Sequence, residues 1–194
     1  MSHGVIGDGR FHRLLLRADE EIAQQAREGG CAVCGGPLHS GNYARKPRGR
    51  PPGLGLGDEH DLRLSLCCGR KGCRKRLLPM SMRFLARKVY LGVVVVLVSA
   101  LQHGVTAERA RKIEAAVGVS ARTVERWRAW WLSDFRESAF WKLARARFTP
   151  ALDETTLPRS LVDGFGGEEV GPMERLLRFL SPITTSSAPE CLPV

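Results

Sequence analysis

Two cysteine hooks constrain this chain more than any other feature. The first is Cys31-Ala-Val-Cys34-Gly-Gly and the second is the group Cys67, Cys68 and Cys73 in "LCCGRKGC". Zinc takes four soft ligands in a tetrahedron, and two short hooks brought together by a hairpin supply them. Cys31 and Cys34 form one half. The glycines after Cys34 let backbone amides approach the sulfurs. Three thiols compete for the other half, as Cys68-x4-Cys73 or Cys67-x5-Cys73. In "DLRLSLCC", residues 61–68, Leu62, Leu64, Leu66 and Cys68 fall on one face of a strand and Arg63 and Ser65 on the other. That alternation favours Cys68 and Cys73, with Cys67 as the alternative ligand. His39 and His60 stand in reserve, and Cys191 lies too far along the chain to take part. Four thiolates leave no open coordination position, so the expected ion is a structural Zn2+ and the expected protein is not an enzyme.

A chain of 194 residues that is 43% hydrophobic can hold one or two small domains around a sizeable core. The opening "MSHGVIGDGR" has no apolar stretch behind a positive start, so paired cysteines read as metal ligands in a reducing compartment. The longest apolar run, "VYLGVVVVLVSAL" at 89–101, falls short of the roughly 20 residues that span a bilayer. It reads as a buried helix, in a cytoplasmic, nucleoid-associated protein with no membrane partner.

The formal net charge is +10, and it is local. Residues 31–90 carry 13 Lys and Arg against 3 Asp and Glu, and residues 104–150 carry 10 against 5. The N-terminal 30 residues and the segment after 150 are slightly acidic. Such a distribution fits a polyanion, and duplex DNA first.

The pattern divides the chain into an N-terminal helix within 1–30, a zinc-ribbon-like β module with a basic loop at 31–81, a trihelical domain at 82–150 and an acidic, Pro-rich tail at 151–194. The fold class expected is mainly α with that small β module. In the N-terminal helix Leu14, Leu15, Ile22 and Ala26 form an imperfect apolar face. The three helices of the third part run from Met82 to Gln102, with Gly104 ending the first; from Thr106 to Val117, with Thr106 as N-cap; and onward from Ser120. The tail holds one short amphipathic helix, "PMERLLRFLSP", on an otherwise peripheral segment whose last dozen residues read as disordered.

"ERARKIEAAVGVSARTVERWRAW", residues 108–130, has the spacing of a DNA-binding helix-turn-helix. Ile113 and Val117 bury the first helix, Gly118 makes the turn and Val119 plugs the angle. Val124 and Trp127 bury the second helix. Glu114 stands where a small residue is usual. With Val124 and Trp127 inward, Ala121, Arg122, Glu125, Arg126 and Ala129 line the face that enters a major groove. Arg122 and Arg126 can each donate two hydrogen bonds to a guanine, and Glu125 can accept from a cytosine amine. Ser120 at the helix start can hold a phosphate, with Arg109, Lys112 and Arg128 as further phosphate contacts. The four tryptophans read as core residues, and Trp130 and Trp131 cannot both face the same core.

Between the hooks, "RKPRGRPPG" contains Arg48-Gly49-Arg50-Pro51. It resembles an AT-hook, which lies extended in the minor groove with glycine on the floor and an arginine on each side. Read this way, the hooks anchor a loop whose basic tip reaches DNA beside the helix pair.

Taken in order, "CAVCGG", "LCCGRKGCRKRLLPMSMRFLARKVY", the apolar helix and "SARTVERWRAWW" resemble bacterial proteins encoded with mobile elements, in which a zinc-ribbon-like module precedes a helix-turn-helix of the transposase type. The likeness covers about residues 31–150. It implies sequence-specific DNA binding, an accessory or regulatory role in transposition or the recognition part of a split enzyme, and a transposase or recombinase as protein partner. The chain has no room for the catalytic carboxylate domain of a full transposase. Two other readings stay open: an ordinary transcriptional repressor of the same fold, homodimeric through the tail, and a zinc-stabilised adaptor that binds protein or RNA.

Overall fold

A computed structural model describes residues 4–45, 47–85, 90–101 and 106–185. The fold is mainly helical, with two small antiparallel sheets. A single turn, α1 (Gly4–Gly7), leads into α2 (Gly9–Glu28), which Asp8 caps by accepting the Arg10 amide at 2.8 Å. Phe11, Leu15 and Ala18 recur at helical spacing and are buried in the main core. Ala26, two turns on, packs against the cysteine cluster instead. One helix thus props two cores.

The segment after α2 folds into short strands. β1 (Leu38–Ser40) pairs antiparallel with β4 (Leu66–Cys68), Leu38 opposite Cys68, and β4 pairs with β5 (Arg76–Leu77). A separate ribbon joins β2 (Tyr43–Ala44) to β3 (Leu62–Arg63). The expected continuous strand over 61–68 is broken at 64–65. Arg63 and Ser65, on the face opposite the leucines, are both buried, at 1% and 0% exposure. The Arg63 guanidinium is turned inward by the carbonyls of Pro79 and Leu64, which accept its hydrogen bonds. A charged group goes inside only when such acceptors compensate it.

The apolar run forms α3 (Gly92–Ser99), eight residues that are all buried. This is shorter than the expected Met82–Gln102 helix. Residues 82–85 are not helical: Asp19 takes the amide of Met82 at 2.6 Å, and Phe84 bridges to Leu91. The expected stop at Gly104 lies outside the described residues. Around α3 pack α5 (Ala121–Trp130), α7 (Arg159–Gly164) and α8 (Val170–Leu180). α4 (Ala107–Val117) precedes α5, and α6 (Ala139–Ala144) follows it after a π-helical turn at Trp131–Phe135. Trp131, Trp141 and Phe135 are fully buried there, and Trp130 leans edge-on against Trp131 at 4.8 Å.

The segment after residue 150 is not peripheral. Leu161, Val162, Met173, Leu176, Leu177 and Leu180 belong to the same core as α3 and α5. The expected helix at 172–182 is present as α8, followed by a 3-10 turn at Ser181–Thr184. The expectations for Cys191 and for disorder in the last dozen residues fall largely outside the described residues.

Candidate metal centre and nucleic-acid interface

Cys31, Cys34, Cys68 and Cys73 converge, their sulfurs all within 4.8 Å of one another. Cys31 Sγ lies 3.7 Å from Cys73 Sγ, and Cys34 Sγ 3.5 Å from Cys68 Sγ. A tetrahedron of thiolates around zinc has edges of about 3.8 Å, given Zn–S bonds of about 2.3 Å. The four residues therefore fit a thiophilic tetrahedral cation such as Zn2+, and all four are free thiols rather than disulfides.

Each hook is built by its backbone. In the first, the Cys31 carbonyl accepts from the amides of Cys34 and Gly35, while the Cys31 amide donates to Gly36 at 2.9 Å. A Cβ on Gly36 would sit 3.1 Å from Cys68 Sγ and 3.3 Å from Cys34 Sγ, so only glycine leaves the sulfurs their space. In the second, Cys68 donates its amide to Lys75 at 2.9 Å, and Cys73 donates to Arg70 at 3.2 Å. Amides also face the sulfurs. Those of Val33 and Cys34 pull the Cys31 thiol down to about 7. Cys68 is favoured as a thiolate by the Arg70 amide, yet burial and the surrounding thiols push it up to about 12. Cys73 is likewise raised despite the Lys75 amide, with Cys34 the first opposing neighbour. Without a cation, Cys31 is favoured as a thiolate, while burial and the neighbouring thiols disfavour ionisation of Cys68 and Cys73.

Cys67 is excluded from the quartet. Its sulfur turns to the far side of β4, near the carbonyls of Arg74 and Cys68. The reserve ligands are elsewhere too: His39 is exposed on β1, and buried His60 takes Glu59 as partner at 3.2 Å.

Sequence reasoning missed the device that fixes this module to the helices. Asp19 on α2 is 1% exposed and accepts from Met82 N, Ser81 Oγ at 2.6 Å and Arg83 Nε at 2.8 Å. Arg83, 2% exposed, also donates to the carbonyls of His60 and Leu62. Ser81 N donates to Thr184 Oγ1 at 2.8 Å. The only sequence signal was an acidic residue on the inner face of an amphipathic helix.

The α4–α5 pair has the expected interior. Ile113, Val117, Val119, Val124 and Trp127 are all buried. Thr106 caps α4 by accepting the Arg109 amide, and Gly118 takes the left-handed conformation at φ 62°. Arg122, Glu125, Arg126 and Ala129 are exposed on α5, and Ala121 is partly so. Arg126 reaches back to Thr123 Oγ1 at 3.3 Å. Ser120 is the N-cap residue, but its hydroxyl meets Thr123 Oγ1 at 3.1 Å rather than a backbone amide. Lys112 pairs with Glu108 at 2.6 Å, on the surface. Arg109 is half-buried. Arg128 departs from its expected outward position: it is half-buried and donates to the Leu101 carbonyl.

The Arg48-Gly49-Arg50 segment is not laid out as a free tip. Gly49 is buried at φ 86°, where a Cβ would come within 3.1 Å of Val94 on α3. Arg48 accepts the Leu91 amide with its carbonyl, and Arg50 pairs with Asp61. Of the three residues only Arg48 is exposed. The segment touches the helices through Tyr90, which bridges to Arg48 and stacks edge-on to Trp127 at 4.9 Å.

No helix among the described residues is long and apolar enough to cross a membrane. No family model matches the chain, and neither the curated proteins nor the solved structures contain a match.

Proposed function

We propose that this protein binds duplex DNA sequence-specifically, with α4 and α5 acting as a helix-turn-helix and a structural zinc ion ordering a ribbon-like module beside it. One observation carries the reading. Val124 and Trp127 are buried while Arg122, Glu125 and Arg126 are exposed on the opposite face of a short helix entered by a tight glycine turn. A helix presented this way offers two guanidinium forks and a carboxylate to base edges. Its N-terminus and Lys112 address the backbone. Of Arg48, Gly49 and Arg50, the buried Gly49 and the Arg50–Asp61 pair leave Arg48 able to support this contact. The local basic charge fits such a partner, and the resemblance to mobile-element proteins adds an accessory or regulatory role, with a transposase or recombinase as the protein it would serve.

The test is selection of bound duplexes by the zinc-loaded protein, followed by titration of variants on the selected and scrambled sequences. Arg126→Ala should cost roughly 1–3 kcal/mol on the selected site and relax the preference at one or two base positions. Lys112→Ala should weaken both duplexes alike. Unchanged affinity and preference in both Arg122→Ala and Arg126→Ala would remove α5 as the reader and favour the adaptor reading.

A further inference from the structure

The second hook carries more charge than its metal centre needs. Arg70, Lys71, Arg74, Lys75 and Arg76 surround Cys73, and all five are exposed. On the helices several surface cations are matched: Lys142 holds Glu137, Arg145 holds Glu154, Arg159 holds Asp163 and Glu168, and Arg178 holds Glu174. None of the five hook cations forms an ion pair among the described residues. Two of them have other work. Arg70 donates to the Cys34 carbonyl at 2.8 Å, bracing one hook on the other. Arg76 donates to Ser65 Oγ and lies over the Tyr43 ring. Among the described residues the side chains of Lys71, Arg74 and Lys75 form no hydrogen bond, ion pair or ring contact.

Charge balance at the metal does not account for these three. Four thiolates around Zn2+ leave a net charge of about −2, fewer charges than the five cations on this hook. Lys71, Arg74 and Lys75 lie on the connection between β4 and β5, Lys71 between Cys68 and Cys73 of the quartet and Arg74 and Lys75 between Cys73 and β5. Like charges fixed close together repel, so the arrangement is stable only in solvent or against an anion of matching spacing.

We propose that Lys71, Arg74 and Lys75 form a phosphodiester-binding surface that docks the cysteine module on the backbone of duplex DNA. The choice of DNA rests on the function proposed for α5, but the surface is a separate contact. It would add affinity without sequence preference, because phosphates are the same at every step.

The experiment uses the full zinc-loaded chain. The triple variant Lys71→Gln, Arg74→Gln, Lys75→Gln is compared with a charge-matched control, Lys142→Gln, Arg145→Gln, Arg178→Gln. Binding to a wild-type-selected duplex and to a scrambled one is followed over a range of salt. The hook variant should lose about 2–3 units of the salt slope on both duplexes, with the same base preference and the same zinc per chain. The control should stay close to wild type. A wild-type slope in the hook variant overturns the proposal. So does an equal loss in both triples, which would mean overall charge alone, and so does a fall in zinc content, which would assign the three cations to the metal. Hook-dependent binding of RNA but not of duplex DNA overturns it in favour of RNA. Base preference in the Arg126→Ala protein reports on α5 independently, so the two readings can fail separately.

Discussion

Cys67 and Cys68 are neighbours on β4, and strand alternation sends their sulfurs to opposite sides. Only Cys68 joins the quartet. Cys67→Ser should therefore keep about one zinc per chain, while Cys34→Ser or Cys73→Ser should lose zinc and solubility together, as read by metal analysis of purified protein. The four clustered cysteines were legible in the sequence because spacing and alternation act over a few residues. The burial of Arg63 and Ser65 was not legible on the same logic, because the strand breaks at 64–65 and Pro79, sixteen residues on from Arg63, supplies an acceptor for it. Two histidines make a second residue-level prediction. His12, whose Nε2 donates to the Ile6 carbonyl, and His60 are buried, and burial is the main cause that lowers the pKa of each. Between their lowered folded values and the unfolded value of about 6.5 the unfolded chain binds more protons. Stability is thus fully present above about pH 6.5 and declines as the pH falls through that value toward the folded ones. Melting temperature should drop from about pH 7.5 to 5.5, and less so in His60→Asn; an acid-independent melt in that window would contradict this.

At the scale of elements, α4 and α5 were the most legible part. Their expected starts at Thr106 and Ser120 are the observed N-cap positions, and Val117 ends α4 as read. Caps, a turn glycine and five apolar positions all agree there, and each is a local constraint. Gly118→Ala should cost about 1 kcal/mol, since the left-handed backbone clashes with a side chain. Trp127→Ala should cost roughly 3–5 kcal/mol, by removal of a buried aromatic. Denaturant titration should rank the two in that order and show both unfolding cooperatively. The start of α3 was not legible. "MSMRFLARKVY" has helical periodicity, but Asp19, more than sixty residues away, takes the Met82 amide and the Ser81 and Arg83 side chains, and 82–85 is non-helical. A buried carboxylate with three donors outweighs the modest propensity of one turn.

For the whole molecule, the main core joins α2, α3, α5, α7 and α8, so residues from both ends of the chain are packed together. The amphipathic pattern of α8 was visible, yet the acidic, Pro-rich composition around it masked how deep it sits. Nothing local says which surface an apolar stripe will cover. The Asp19–Arg83 pair is the fastening between this core and the cysteine module. Asp19→Ala should cost roughly 3–5 kcal/mol, because it leaves the Arg83 charge buried without its partner. Calorimetry of that variant, with and without a zinc chelator, should show module and helices melting at separate temperatures where the parent shows one transition. A further consequence concerns transplantation. Many small metal-bound segments behave as cassettes, cut out and joined to other proteins. Cut after Arg83, this one would carry an arginine whose carboxylate stays behind, and it would leave behind a carboxylate with no arginine. A graft of residues 31–81 onto a new host ends two residues short of its own clasp. The smallest portable unit would have to include α2 and the chain through Arg83.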